Sequence, residues 1–91
     1  MTRFVSDSAT ASGQIAEGDE SRVKAISFHA RSTNPDSVIV GDSGVSSTNG
    51  YELTKDASIP FNFEEGSVPL STFYVHFLGV GRVDWAAILL D

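Results

Sequence analysis

The 91-residue sequence contains no cysteine. Disulfide stapling and thiolate metal sites are therefore excluded, which removes two of the usual supports of a small domain. Association with another chain is the support that remains to look for. Basic residues are scarce: 6 Lys and Arg stand against 12 Asp and Glu, for a formal charge of −6. A surface of that sign repels phosphate backbones, so no nucleic-acid partner is expected. Long apolar runs are also missing. The longest, Trp85-Ala86-Ala87-Ile88-Leu89-Leu90, is strand-sized and well short of the roughly 20 residues of a membrane helix, so no membrane partner is expected. The opening residues, Met1 to Asp7, hold no apolar segment of the kind a secretory signal carries. No window of ten residues shows a helical stripe.

What the sequence does have is alternation. In residues 23–30, Ile26, Phe28 and Ala30 share one face, with Lys24 on the same side at the strand's end; Ser27 and His29 take the other face. Residues 38–41 are a short β-branched strand, and residues 51–54 resume the extended chain after a loop rich in Gly, Ser and Asn. In residues 59–64, Ile59, Phe61 and Phe63 point inward, and Pro60, which lacks an N–H, places that strand at a sheet edge. Residues 73–78 put Phe73, Val75 and Phe77 on one face, and residues 82–90 form the last strand. Six strands at a spacing of about 8–12 residues predict an all-β chain: a single small antiparallel β-sandwich, jelly-roll or Ig-like, with the jelly roll preferred. If every connection reverses direction, residues 31–37, 55–58 and 79–81 gather at one end, and residues 42–50 and 65–72 at the other.

Residues 1–22 read differently. They are small and polar, with Phe4, Val5 and Ile15 as their sizeable apolar side chains. The expectation is an extended N-terminal arm over 1–22, with a possible extra strand near 13–17, ahead of a sandwich domain over 23–91. The last strand is apolar on both faces in its second half, so something is expected to cover Ile88 and Leu90. The candidate protein–protein interface is therefore Phe4, Ile15, Val45, Val68, Leu70, Ile88 and Leu90.

Chemistry is thin by comparison. Gly41-Asp42-Ser43-Gly44 matches the start of the signature around the nucleophile of chymotrypsin-like proteases, but Val45 stands where a further Gly belongs and only His29 precedes Ser43. A turn is the simpler reading: Asp42 and Ser43 hydrogen-bond their own backbone, and Gly44 supplies a positive φ. Gly79-Val80-Gly81 lacks the third glycine of a dinucleotide fingerprint. His29 and His76 would need a third ligand, Glu64 or Asp84, and no ligand spacing points to one. No cofactor, metal or catalytic residue is expected.

One resemblance adds to this. The residues carrying it are the strand at 23–30, Asn34, the run Val38-Ile39-Val40-Gly41, the loop Val45-Ser46-Ser47-Thr48-Asn49-Gly50, Leu53, the strand at 59–63, Leu70-Ser71-Thr72-Phe73-Tyr74-Val75 and Val83-Asp84-Trp85. This pattern, over residues 13–90, resembles small β-sandwich virion proteins of tailed bacteriophages, of the capsid decoration or cement type. The usual Pro-Gly before the 59–63 strand is replaced here by Ala57-Ser58. The resemblance implies a non-enzymatic structural protein on the outer surface of the head, assembled in the host cytoplasm. It would bridge subunits of the major capsid protein, as a homo-oligomer with a trimer favoured. The alternative is a tail or fibre adhesin or carbohydrate-binding module, with Tyr51, Tyr74 or Trp85 as stacking platforms.

Overall fold

Alternating apolar residues stay buried only when a second layer covers them. The computed structural model, which describes residues 2–63 and 68–90, supplies that layer. In chain order the strands are β1 (Thr2–Ala9), β2 (Gly13–Gln14), β3 (Arg22–Ala30), β4 (Val38–Gly41), β5 (Tyr51–Leu53), β6 (Ser58–Asn62), β7 (Val68–Pro69), β8 (Tyr74–Phe77) and β9 (Val83–Leu90). A short 3-10 turn, Leu70–Thr72, precedes β8. One sheet has the order β1-β9-β3-β6, with β7 also pairing β3; the other has the order β2-β8-β4-β5.

The pairings are nested. β4 pairs β5, β3 pairs β6, β2 pairs β8 and β1 pairs β9, all antiparallel. The chain is thus one long hairpin, closed at the 42–50 loop and folded across itself into two layers, which is a jelly roll. Burial follows the alternation. On β9, Val83, Trp85, Ala87 and Leu89 are buried, and the residues between them are only half covered. The Phe28 ring lies 5.8 Å from Phe73 and 6.1 Å from Phe61, edge-on to the latter, and ties the two sheets together. β6 is a sheet edge, as Pro60 requires.

Several expectations change. Residues 1–22 are not a free arm. β1 pairs with β9 along its whole length, from Thr2 opposite Leu90 to Ala9 opposite Val83. The chain then crosses to the other sheet, pairs β2 with β8, and returns to β3. Lys24 is exposed, and Val23 takes the inward position. The register shift between Val23 and Ala25 is the reason: a β-bulge at Lys24 lets Val23 and Ile26 both face the core. The segment expected as a loop up to Thr72 holds β7 and the 3-10 turn. Glu64 and residues 65–67 lie outside the described residues.

The described parts of the loops sort to the two ends as expected. At one end, Arg31 N–H donates to the Arg82 carbonyl at 3.3 Å and Leu78 N–H to that of Ser37 at 3.2 Å. Asn34, buried among these loops, donates from Nδ2 to the Arg82 carbonyl at 2.9 Å and accepts from the Arg82 N–H at 2.8 Å. At the other end the 42–50 loop turns without a positive φ at Gly44. Asp42 Oδ1 accepts from Gly44 N–H at 2.9 Å, and this side-chain turn does the work expected of the glycine. The positive φ, 132°, falls at Gly50, where a Cβ would meet Ile39 Cγ2 at 2.6 Å.

Candidate assembly surface

The outer face of the β1-β9-β3-β6 sheet follows from its register. Phe4 lies opposite Ile88, and Ile88 opposite Ala25; Ser6 lies opposite Ala86, Ala86 opposite Ser27, and Ser27 opposite Pro60. Further along, Ser8, Asp84 and His29 fall in one row. The face is therefore graded. Phe4, Ile88 and Leu90 make one end apolar, small Ser and Ala side chains fill the middle, and polar groups occupy the far end. Phe4 is 71% exposed, whereas its neighbour Val5 turns inward against the core. The small side chains leave a shallow open hollow of about 470 Å³, lined by Ser6, Ser8, Ser27, His29, Asp84 and Ala86 among others.

The polar end carries an ion pair, while exposed Arg22 lies opposite Leu90 at the apolar end. Arg31 grips Asp84 through two nitrogens, at 2.8 and 3.1 Å. Those hydrogen bonds hold the Asp84 carboxyl below the usual carboxylate range, and Asp84 in turn raises the Arg31 guanidinium. His29 Nε2 lies 3.1 Å from Asp56 Oδ1, in an exposed pair of small energetic worth. The other shifted carboxyl, Asp19, is lowered chiefly by the backbone N–H of Ser21 and belongs to the turn before β3.

The expected interface residues divide into three groups. Phe4, Ile88 and Leu90 come together on this outer face. Ile15 and Val68 pack against the core instead, and Ile15 N–H donates to the Phe73 carbonyl at 3.1 Å. Leu70 is a correction: it is 2% exposed and part of the core, because the 3-10 turn swings it inward from between Pro69 and Ser71. Val45 is half-buried within its own loop, close to Gly41 and Gly50. β1 stands beside Ile88 in the sheet and does not roof it.

His29 and His76 project from different sheets, so they cannot share a ligand. Among the described residues no group of three His, Asp or Glu is placed to hold a metal ion. Trp85 is 6% exposed and cannot serve as a stacking platform; Tyr51, 57% exposed, remains open and lies edge-on to Phe61 at 5.5 Å. The small residues Ser6, Ala25, Ser27 and Ala86 escape sequence reasoning. Their only signal is that small residues recur at outward positions in the middle of three strands, which has meaning once the strand order is known.

No protein-family model matches the sequence, and no curated protein matches it. Among solved structures, a chain of the Bacillus endospore appendages, a family of disulfide-linked pili, has the same fold. It aligns with 98% of this chain and 84% of its own length, at a TM-score of 0.63 and 13% identity. The present chain has no cysteine with which to form such links. The likeness establishes the sandwich fold that the two chains share.

Proposed function

We propose that this chain is a non-enzymatic structural protein of a tailed-phage virion: a decoration or cement protein that docks on the head and bridges neighbouring subunits of the major capsid protein. The observation that carries this reading is the outer face of the β1-β9-β3-β6 sheet. Phe4 stands exposed beside Ile88 on a flat field of small side chains, a surface suited to close contact with another protein. The sequence resemblance supplies the virion context. Bound copies stabilise a shell by mass action, because they bind its assembled form and not its separated subunits. A second reading is favoured by the likeness to the pilus chain: a fibre or tail module that repeats without covalent links.

The test mixes the purified protein with undecorated phage heads and follows occupancy and the melting of the shell. The cement reading expects saturable binding and a higher shell melting temperature. Fibres formed by the free protein, or binding to glycans without binding to heads, would replace it with the second reading.

A further inference from the structure

Strand β1 ends its sheet, and among the described residues no strand of this chain pairs with its second edge. It runs for eight residues without a proline or glycine to blunt it. From its charge pattern we infer that β1 pairs antiparallel with β1 of a second copy, about a two-fold axis through Val5. The inference stands without the virion reading, since it concerns the free chain.

The register is chosen by the side chains. A two-fold pair that keeps the two outer faces on one side must be centred on a residue. Centring on Val5 sets Arg3 opposite Asp7 of the second copy, twice by symmetry, and both residues are exposed. On the outer face it sets Phe4 opposite Ser6 of the second copy, at the rim of the hollow that Ser6 and Ser8 line. The other centres fail. Phe4 at the axis puts Arg3 against Val5. Ser6 at the axis puts Asp7 against Val5 and Arg3 against Ala9. Asp7 at the axis sets like charges together. Arg3 already donates to Ser21 Oγ at 3.1 Å, and a guanidinium with about five N–H donors can serve a carboxylate as well. The pair joins two five-stranded sheets into one continuous sheet, with the two Phe4 side chains diagonal across the axis and each apolar end beside the polar end of the other copy. An edge of this length buries less than a standard interface, so the dimer is weak and concentration-dependent.

The absence of native cysteine makes the test direct. Directly opposed residues hold their Cβ atoms about 4.5–5.5 Å apart, within reach of a disulfide after small adjustment. Under mild oxidation Val5→Cys should form a covalent dimer at least tenfold faster than Phe4→Cys or Ser6→Cys, a ratio of the size that separates aligned from misaligned thiols (about tenfold per 1.4 kcal/mol of barrier). Sedimentation at matched concentrations gives the second arm. Arg3→Asp and Asp7→Arg should each weaken the dimer roughly tenfold, and the joint variant should restore it. Failure of the joint variant to restore association would overturn the inference, as would faster linkage at Phe4→Cys or Ser6→Cys, no dimer with Val5→Cys, or a trimer of the wild type. If Arg3→Asp fails to fold, the cross-linking series still decides.

Discussion

Leu70 and Leu90 carry the same side chain in opposite surroundings. Leu70 is enclosed by the core, while Leu90 is half covered on the outer face. Leu70→Ala should therefore cost about 2–5 kcal/mol in chemical denaturation, from lost burial and the cavity left behind. Leu90→Ala should cost well under half of that. The difference was not readable from the sequence, because Pro69 and Ser71 give Leu70 the look of a loop residue. Alternation did place Phe28 and Val75 on core faces, since the residues around each show the period of two. Asn34 read as a turn residue, and its two hydrogen bonds to Arg82 depend on loops far apart in sequence.

The same scale sets a pH dependence. Asp84 is held below the ordinary carboxylate pKa of about 3.9 by Arg31, so the folded state keeps it ionised after the unfolded chain has begun to take up its proton. Its contribution to stability is present above that ordinary value and is lost as pH falls through the lowered one. The side chain is over a third exposed, so the contribution is that of a surface pair, about 0.2–1 kcal/mol. Asp84→Asn should flatten the acid limb of a melting-temperature profile below about pH 4. Unchanged steepness there would remove Asp84 from the account.

At the scale of the element, β1 shows why composition misleads. Thr2–Ala9 turns only modest apolar side chains inward, Val5 and Ala9, and Ser and Asp fill much of the rest. Nothing local demands a strand. The demand comes from β9, whose backbone would otherwise lack a partner on that side. Deleting residues 2–12 should therefore lower the melting temperature of the free domain. Val5 is only partly buried, so its loss is worth less than the roughly 1.5–3 kcal/mol of a full burial, and the unpaired β9 backbone adds to it. A truncated domain that melts with the full chain would mean that β1 adds nothing to the sandwich. β9 is the converse case. Its apolar outer half was plain in the sequence, and Ile88 does lie beside an N-terminal residue, Phe4, but as a neighbour within one sheet. The bulge at Lys24 left no sequence mark, because it appears only as a shift of register against β9.

For the whole molecule, the nested pairing of the strands explains what could and could not be read. Six of the strands, the turn positions and the sorting of the described loops to two ends follow from local signals, whereas β1 and β7 do not. The candidate surface does not. Phe4, Ala25, Pro60, Ala86 and Ile88 come from β1, β3, β6 and β9 and meet only through long-range pairing. The molecule offers an internal control for that surface. Phe4 and Val80 are both large apolar residues in the open, 71% and 78% exposed, on different parts of the sandwich. Lysine at either site should change the stability of the free domain by no more than about 0.5 kcal/mol. The decisive measurement is retention of Phe4→Lys and Val80→Lys on undecorated heads after dilution. Docking through the β1-β9-β3-β6 face predicts that Phe4→Lys dissociates at least tenfold faster, as a charge placed in an interface core costs on the order of 1.4 kcal/mol or more, while Val80→Lys stays bound like the wild type. Equal retention of both variants, or loss confined to Val80→Lys, would contradict it.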